Sequence, residues 1–139
     1  MIKNLIRIGL GAFMLLAGIG HMTYARETFQ AQVPDWIPLS KDCVVLASGV
    51  VEILFGIAMI FFTKQKEYVG LALAIFFVLV FPGNIAQYTE HRDGFGLDTD
   101  SKRLLRLFFQ PVLIFFTLYS TDALKLFKKK NNVKNAFRN

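Results

Sequence analysis

The chain is poor in the residues on which most protein chemistry relies. Its 139 residues hold one cysteine, two histidines, one tryptophan and four prolines. The single thiol, Cys43, excludes a disulfide within the chain and any paired-cysteine redox motif, and it reads as an ordinary small apolar residue. Cysteine and histidine never fall at metal-ligand spacing, so no metal is expected, and neither a phosphate-cradling loop nor a nucleophile elbow occurs. The glycines of "IGLGAFMLLAGIG" follow no strand and make no dinucleotide fingerprint. Also missing is a polar residue at every third or fourth place in the apolar segments. A soluble helical bundle needs that stripe for its outer face.

What is present is apolar and clustered. Hydrophobic residues make up 54% of the chain, fifteen of them phenylalanine, and the mean hydropathy is +0.44. They collect in four runs, at 5–25, 43–62, 68–88 and 104–127. Each run is about 20 residues, which matches a hydrocarbon core of ~30 Å at ~1.5 Å per helical residue. The expected fold is therefore an all-α membrane protein, one domain over 1–139, built as a four-transmembrane-helix bundle with a basic tail at 128–139. Lys3, Arg7 and the closing "TYA" give the first run some likeness to a secretory signal. It exceeds the roughly 7–15 apolar residues of such signals and three more runs follow, so it is read as a retained span.

Sixteen basic residues against ten acidic ones leave a net charge of +6. With four spans, the N-terminus, second loop and tail share one side and carry ten basic residues: Lys3, Arg7, Lys64, Lys66, Lys125, Lys128, Lys129, Lys130, Lys134 and Arg138. The other side carries six, namely Arg26, Lys41, Arg92, Lys102, Arg103 and Arg106. Cytoplasmic loops are the richer in Lys and Arg, so both termini are expected in the cytoplasm of a cell-membrane protein. Beside a span, the basic tail reads as attraction to anionic headgroups rather than to nucleic acid.

Polar groups inside the spans are the candidate functional residues, because ionisable side chains in hydrocarbon are costly and by default face the bundle interior. Glu52 lies about nine residues into the second run, ~14 Å deep by helical rise. Ser48, Glu52 and Gly56 share one face, small–acidic–small, along which a neighbouring helix can approach and bury the carboxyl. His21, after Ala17 and Gly18, is the expected partner. Asn84 and Gln87 share a face at the end of the third run, and Arg106 and Gln110 share one in the fourth. All six groups fall within ~15 Å of the same surface, and the other half of each run reads as almost purely apolar. Between the first two runs, "YARETFQAQVPDWIPLSKD" reads as an interfacial or re-entrant piece over the bundle mouth. Its Trp36 is either an interface anchor or a ligand contact. The last loop, "TEHRDGFGLDTDSKR", reads as a solvated turn without calcium-ligand spacing.

The motifs "AGIGHM", "TF…VPDWIP", "SGVVEILFG", "VFPGNIAQY" and "RLLRLFFQPVLI", in this order from about residue 9 to residue 120, resemble the DoxX-like membrane proteins. The family's name derives from the small subunit of an archaeal terminal quinol oxidase. Relatives are linked to thiosulfate:quinone oxidation, methylamine dehydrogenase maturation and thiol or oxidative stress, and a distant animal relative assists receptor assembly. The resemblance implies a four-helix membrane bundle whose polar pattern corresponds to His21, Glu52, Asn84 and Gln110, with Arg106 opening the last block. Two places depart from the pattern. Gly83 stands where alanine is usual, and Phe108 where proline is usual, with Pro111 coming later.

The expectation for function is a redox-associated accessory subunit that binds a quinone or other lipid-soluble ligand through His21, Glu52, Asn84, Gln87, Arg106, Gln110 and Trp36. With no metal, haem or thiol-pair signature in the sequence, electrons would come from a partner protein. The alternative is a non-catalytic assembly protein whose polar cluster only fixes helix packing. A small transporter is disfavoured by the lack of an internal repeat or of paired broken helices.

Overall fold

The computed structural model describes residues 1–93 and 98–138. Each apolar run coils into a helix: α1 (Ile2–Met22), α3 (Lys41–Phe61), α4 (Lys66–Thr89) and α5 (Asp100–Thr121). Between α1 and α3 lie a single-turn helix, α2 (Arg26–Phe29), and a 3₁₀ turn at Gln30–Gln32, and a lysine-rich helix α6 (Lys125–Ala136) follows α5. Among the described residues there is no strand. The centre of the last loop, residues 94–97, which was read as a solvated turn, lies outside the described residues.

The helix starts follow from local chemistry. The Ser40 hydroxyl accepts a hydrogen bond from the Cys43 N–H at 3.2 Å, and the Thr99 hydroxyl accepts one from the Lys102 N–H at 3.3 Å. Asp42 and Asp100 stand in the first turns, where the helix dipole favours negative charge.

The fourth run departs from expectation. It does not continue to Phe127, and the basic segment expected as a tail is largely helix α6. At Asp122 the backbone turns left-handed, with φ 58°, and the Ala123 N–H reaches back to the Leu118 carbonyl at 3.2 Å. That bond closes the helix. The Asp122 carboxylate then accepts hydrogen bonds from Lys3 Nζ at 2.6 Å and Lys66 Nζ at 3.0 Å, with Lys125 Nζ at 3.5 Å. One carboxylate thus ties the start of α1, the start of α4 and the end of α5. The hydrogen bond from Lys3, and next that from Lys66, hold its carboxyl well below the usual carboxylate range. Hydropathy cannot register such a stop, because the apolar residues resume directly after it.

All four long helices are long and apolar enough to cross a membrane. Only 22% to 39% of each apolar window is buried inside the molecule, so most of the apolar surface points outward. Leu16, Leu54, Leu79 and Leu105 are exposed examples. This perimeter matches a lipid bilayer environment, where helices bury their own backbone polar groups and present apolar side chains. The interior is correspondingly small, centred on Leu10, Met14, Met59, Leu73, Phe77 and Leu113.

The most extensive helix pair is α1 with α3, followed by α4 with α5, while α1 also packs on α5. The first pair is set by glycines seven residues apart on each helix. A Cβ on Gly18 would lie 2.6 Å from the Gly49 carbonyl oxygen, and one on Gly56 would lie 2.8 Å from that of Gly11. Only hydrogen fits along this seam, and it lets the two backbones touch.

The half of the bundle near the termini is less apolar than its sequence reads. Arg7, counted above as a flanking cation, is 3% exposed. Its guanidinium donates to the Met59 carbonyl and, at 3.1 Å, to the Ile60 carbonyl, supplying donors to the last turn of α3. Thr117, Ser120 and Thr121 are fully buried there as well, and Gly70 makes room for the Thr121 hydroxyl.

Candidate functional site

The glycine seam positions the first pair of site residues. The last glycine contact, Gly18 on Gly49, leaves His21 and Glu52 one turn beyond on either helix. The helices run antiparallel, and side chains lean toward the N-terminus of their own helix, so these two lean toward each other. Gly49 is bare where the His21 Cβ passes over it. The result is a close pair. His21 Nδ1 lies 2.6 Å from Glu52 Oε2 and 2.9 Å from the Ala17 carbonyl oxygen. Glu52 Oε2 is buried beside the ring and accepts no hydrogen bond among the described residues.

The second group forms between α4 and α5. Gln110 Oε1 accepts from Asn84 Nδ2 and from Arg106 Nη1, each at 3.2 Å, while Gln110 Nε2 donates to the Phe77 carbonyl at 2.9 Å. Pro82, which has no N–H to give the helix, follows little more than a turn later in α4. Arg106 also lies over the Phe109 ring at 5.5 Å, and it has no ion-pair partner among the described residues.

The two groups line one cavity of about 670 Å³. Its described lining contains one carboxylate (Glu52), one guanidinium (Arg106) and one imidazole (His21), set among apolar side chains such as Phe13, Met14, Phe77, Phe109 and Leu113. His21 Nε2 has no hydrogen-bond partner among the described residues.

The segment between α1 and α3 forms the lid of this cavity, through Phe29, Gln32, Val33, Pro34, Trp36 and Ile37. Phe29 stacks on the His21 ring with centroids 3.4 Å apart. Gln32 Nε2 donates to Gln87 Oε1 at 3.2 Å, and the Gln32 carbonyl rests on Gly83, where a Cβ would fall 2.1 Å from it. Arg92 donates to the Val33 carbonyl at 2.6 Å and pairs with Asp35 at 2.8 Å, while Arg26 Nε donates to Asp42 at 2.6 Å. The Lys41 ammonium, together with Arg92, holds the Asp35 carboxyl below its usual range.

Of the seven residues singled out in the sequence, six line the cavity: His21, Trp36, Glu52, Asn84, Arg106 and Gln110. Trp36 does so while 74% exposed. Gln87 does not line it. It is fully buried and turned toward the lid, because the 3₁₀ turn offers it Gln32 as partner. Its hydrogen bond ties α4 to the lid. Phe29 and Gln32 were not singled out, since residues on an irregular loop carry no periodic signal. Gly83, noted above as standing where alanine is usual, lies under the Gln32 carbonyl, which gives the missing side chain a definite reason.

The family model for a domain of unknown function, DUF8561, matches residues 10–121, and the chain belongs to that family. The matched stretch contains all seven candidate residues. No curated protein and no solved structure matches the chain.

Proposed function

We propose that this DUF8561 member is a DoxX-like integral membrane protein, an accessory subunit of a redox system that binds a quinone or similar lipid-soluble ligand. Its termini are placed in the cytoplasm and its cavity in the outer leaflet of the cell membrane. The charge balance supports that orientation even when the buried Arg7 and Arg103 are set aside, with nine basic residues (ten less one) against five (six less one).

The observation that carries the ligand reading is the cavity itself. At about 670 Å³ it falls within the ordinary range of small-molecule sites, and its few polar groups converge from α1, α3, α4 and α5 on an apolar volume. In this reading Arg106 and the Asn84–Gln110 pair hold a ligand oxygen at one wall, and His21 with Glu52 faces another. One cysteine and two histidines offer little with which to hold a redox centre, so a partner protein exchanges the electrons.

The only tryptophan lines the cavity, which supplies the assay. Purified protein in lipid nanodiscs is titrated with a short-chain quinone while Trp36 emission is followed. Saturable quenching at one ligand per chain, weakened by Arg106→Gln, supports the site. Quenching that rises only with partition into lipid, and equally in the variant, refutes it. A second reading has one observation in its favour: both polar atoms of the Gln110 side chain already have protein partners, in Asn84, Arg106 and the Phe77 carbonyl, as in a purely structural network. Under that reading the same titration shows no saturable site.

A further inference from the structure

The two walls of the cavity lack opposite things. Around His21 Nδ1 both neighbours are oxygens, and the Ala17 carbonyl can only accept, so Nδ1 carries the ring hydrogen. In a neutral imidazole Nε2 is then an acceptor, and it has no donor among the described residues. Arg106 and Glu52 already match one positive charge with one negative in the same lining, so a neutral ring leaves the cavity without net charge, the least costly state among apolar walls. The α1–α3 wall thus presents acceptors in want of a donor: His21 Nε2, and behind it Glu52 Oε2 with no hydrogen bond. The α4–α5 wall is the reverse. Of the guanidinium's hydrogens, the structure commits only one Nη1 donor, to Gln110, and no carboxylate pairs with the rest.

From this complementarity we infer that the cavity is selective for a hydroxyl-bearing aromatic ligand, a phenol or hydroquinone, over a ligand whose oxygens only accept. The hydroxyl donates to His21 Nε2, and an oxygen of the ligand accepts from Arg106. The ring lies among Phe77, Phe109 and Trp36, under the lid that Phe29 pins to His21. Glu52 acts as a positioning residue, since its charge beside Nδ1 favours the tautomer that leaves Nε2 open. A fully oxidised quinone satisfies Arg106 and leaves the opposite wall unmatched. The inference rests on the ligand-site reading above and adds to it the polarity of the ligand.

The test uses the whole chain in nanodiscs and a pair of probes that differ in one hydrogen-bond donor, a 4-alkylphenol and its methyl ether, in the Trp36 titration. The phenol is expected to bind about tenfold more tightly than the ether, the loss associated with a buried acceptor left unpaired. In His21→Phe, which keeps an aromatic ring for Phe29 to stack on, that difference is expected to vanish while the ether's affinity persists. The persisting ether signal shows that the variant's cavity is intact. Equal binding of phenol and ether to the parent protein overturns the inference but leaves a ligand site standing. So does saturable binding of a quinone alone. Absence of saturable binding by phenol, ether and quinone alike overturns both this inference and the reading beneath it.

Discussion

Replacing Gly83 with alanine separates the stability of the helices from the closure of the lid. Alanine is the better helix former by about 1 kcal/mol, and Gly83 lies inside α4, so the bundle itself gains. That gain accrues whether the lid is open or closed. Closure, however, places the new methyl 2.1 Å from the Gln32 carbonyl oxygen, a backbone atom that cannot swing aside. Overpacking of this kind costs about 1–3 kcal/mol. A lid that retreats to relieve it withdraws Gln32 from Gln87, whose amide is 1% exposed and is left without its partner, at a cost of about 1–3 kcal/mol. The two costs are alternatives, since a retreating lid relieves the first, so closing is disfavoured by ~1–3 kcal/mol and the opening equilibrium rises at least ~5-fold. Hydrogen exchange followed by mass spectrometry reads this directly. The amides of Phe29 and Val33, bonded to the Ala25 and Gln30 carbonyls at 3.0 and 3.1 Å, should exchange faster, while α4 and the thermal midpoint hold or improve. Gly9→Ala, with nothing near its new Cβ, serves as the silent control. If the lid amides of Gly83→Ala exchange no faster than in the parent protein, the contact between Gln32 and Gly83 does not govern closure.

Three further predictions concern the frame. Gly18→Ala drives a methyl to 2.6 Å from the Gly49 carbonyl and should destabilise the bundle by about 1–3 kcal/mol in a detergent thermal melt; an unchanged midpoint would show that the α1–α3 seam is looser than described. Arg7→Met keeps the bulk but removes the donors to Met59 and Ile60, with an expected loss of ~1–3 kcal/mol and faster exchange confined to the last turn of α3. The folded pKa of Asp122 is depressed, so its contribution is complete above the ordinary carboxylate value of about 4 and declines as pH falls below it. Thermal midpoints should drop on acidification through that range, and Asp122→Asn should be less stable at neutral pH with a flatter acid limb; an equally steep limb in the variant assigns the acid sensitivity to other carboxylates.

The four long apolar helices were readable in the sequence, though the short α2 and α6 were not, because hydropathy and length are sums over about 20 residues and tolerate local detail. Convergence of the polar residues was readable for a related reason. Residues at known positions along rods of equal length meet at the same level if the rods run side by side, and on that ground five of the six candidates on the long helices reach one cavity. Gln87 escaped, since which way a side chain turns around a helix depends on what loop packs there, and the partner Gln32 sits on a segment with no period to read. The close of α5 at Asp122 escaped because two lysines distant in sequence, Lys3 and Lys66, hold that turn.

The sequence by itself determined four apolar helices, their approximate limits and the shared level of the polar groups, since each follows from the composition of a contiguous stretch. Tertiary structure alone decided the rest. It decided that glycines of α1 and α3 abut and aim His21 at Glu52, that Arg7 serves another helix's carbonyls, and that a lid rests on Gly83. Each of these is a contact between backbone or side-chain atoms far apart in the chain, where an ångström of approach decides the outcome and no local pattern records it.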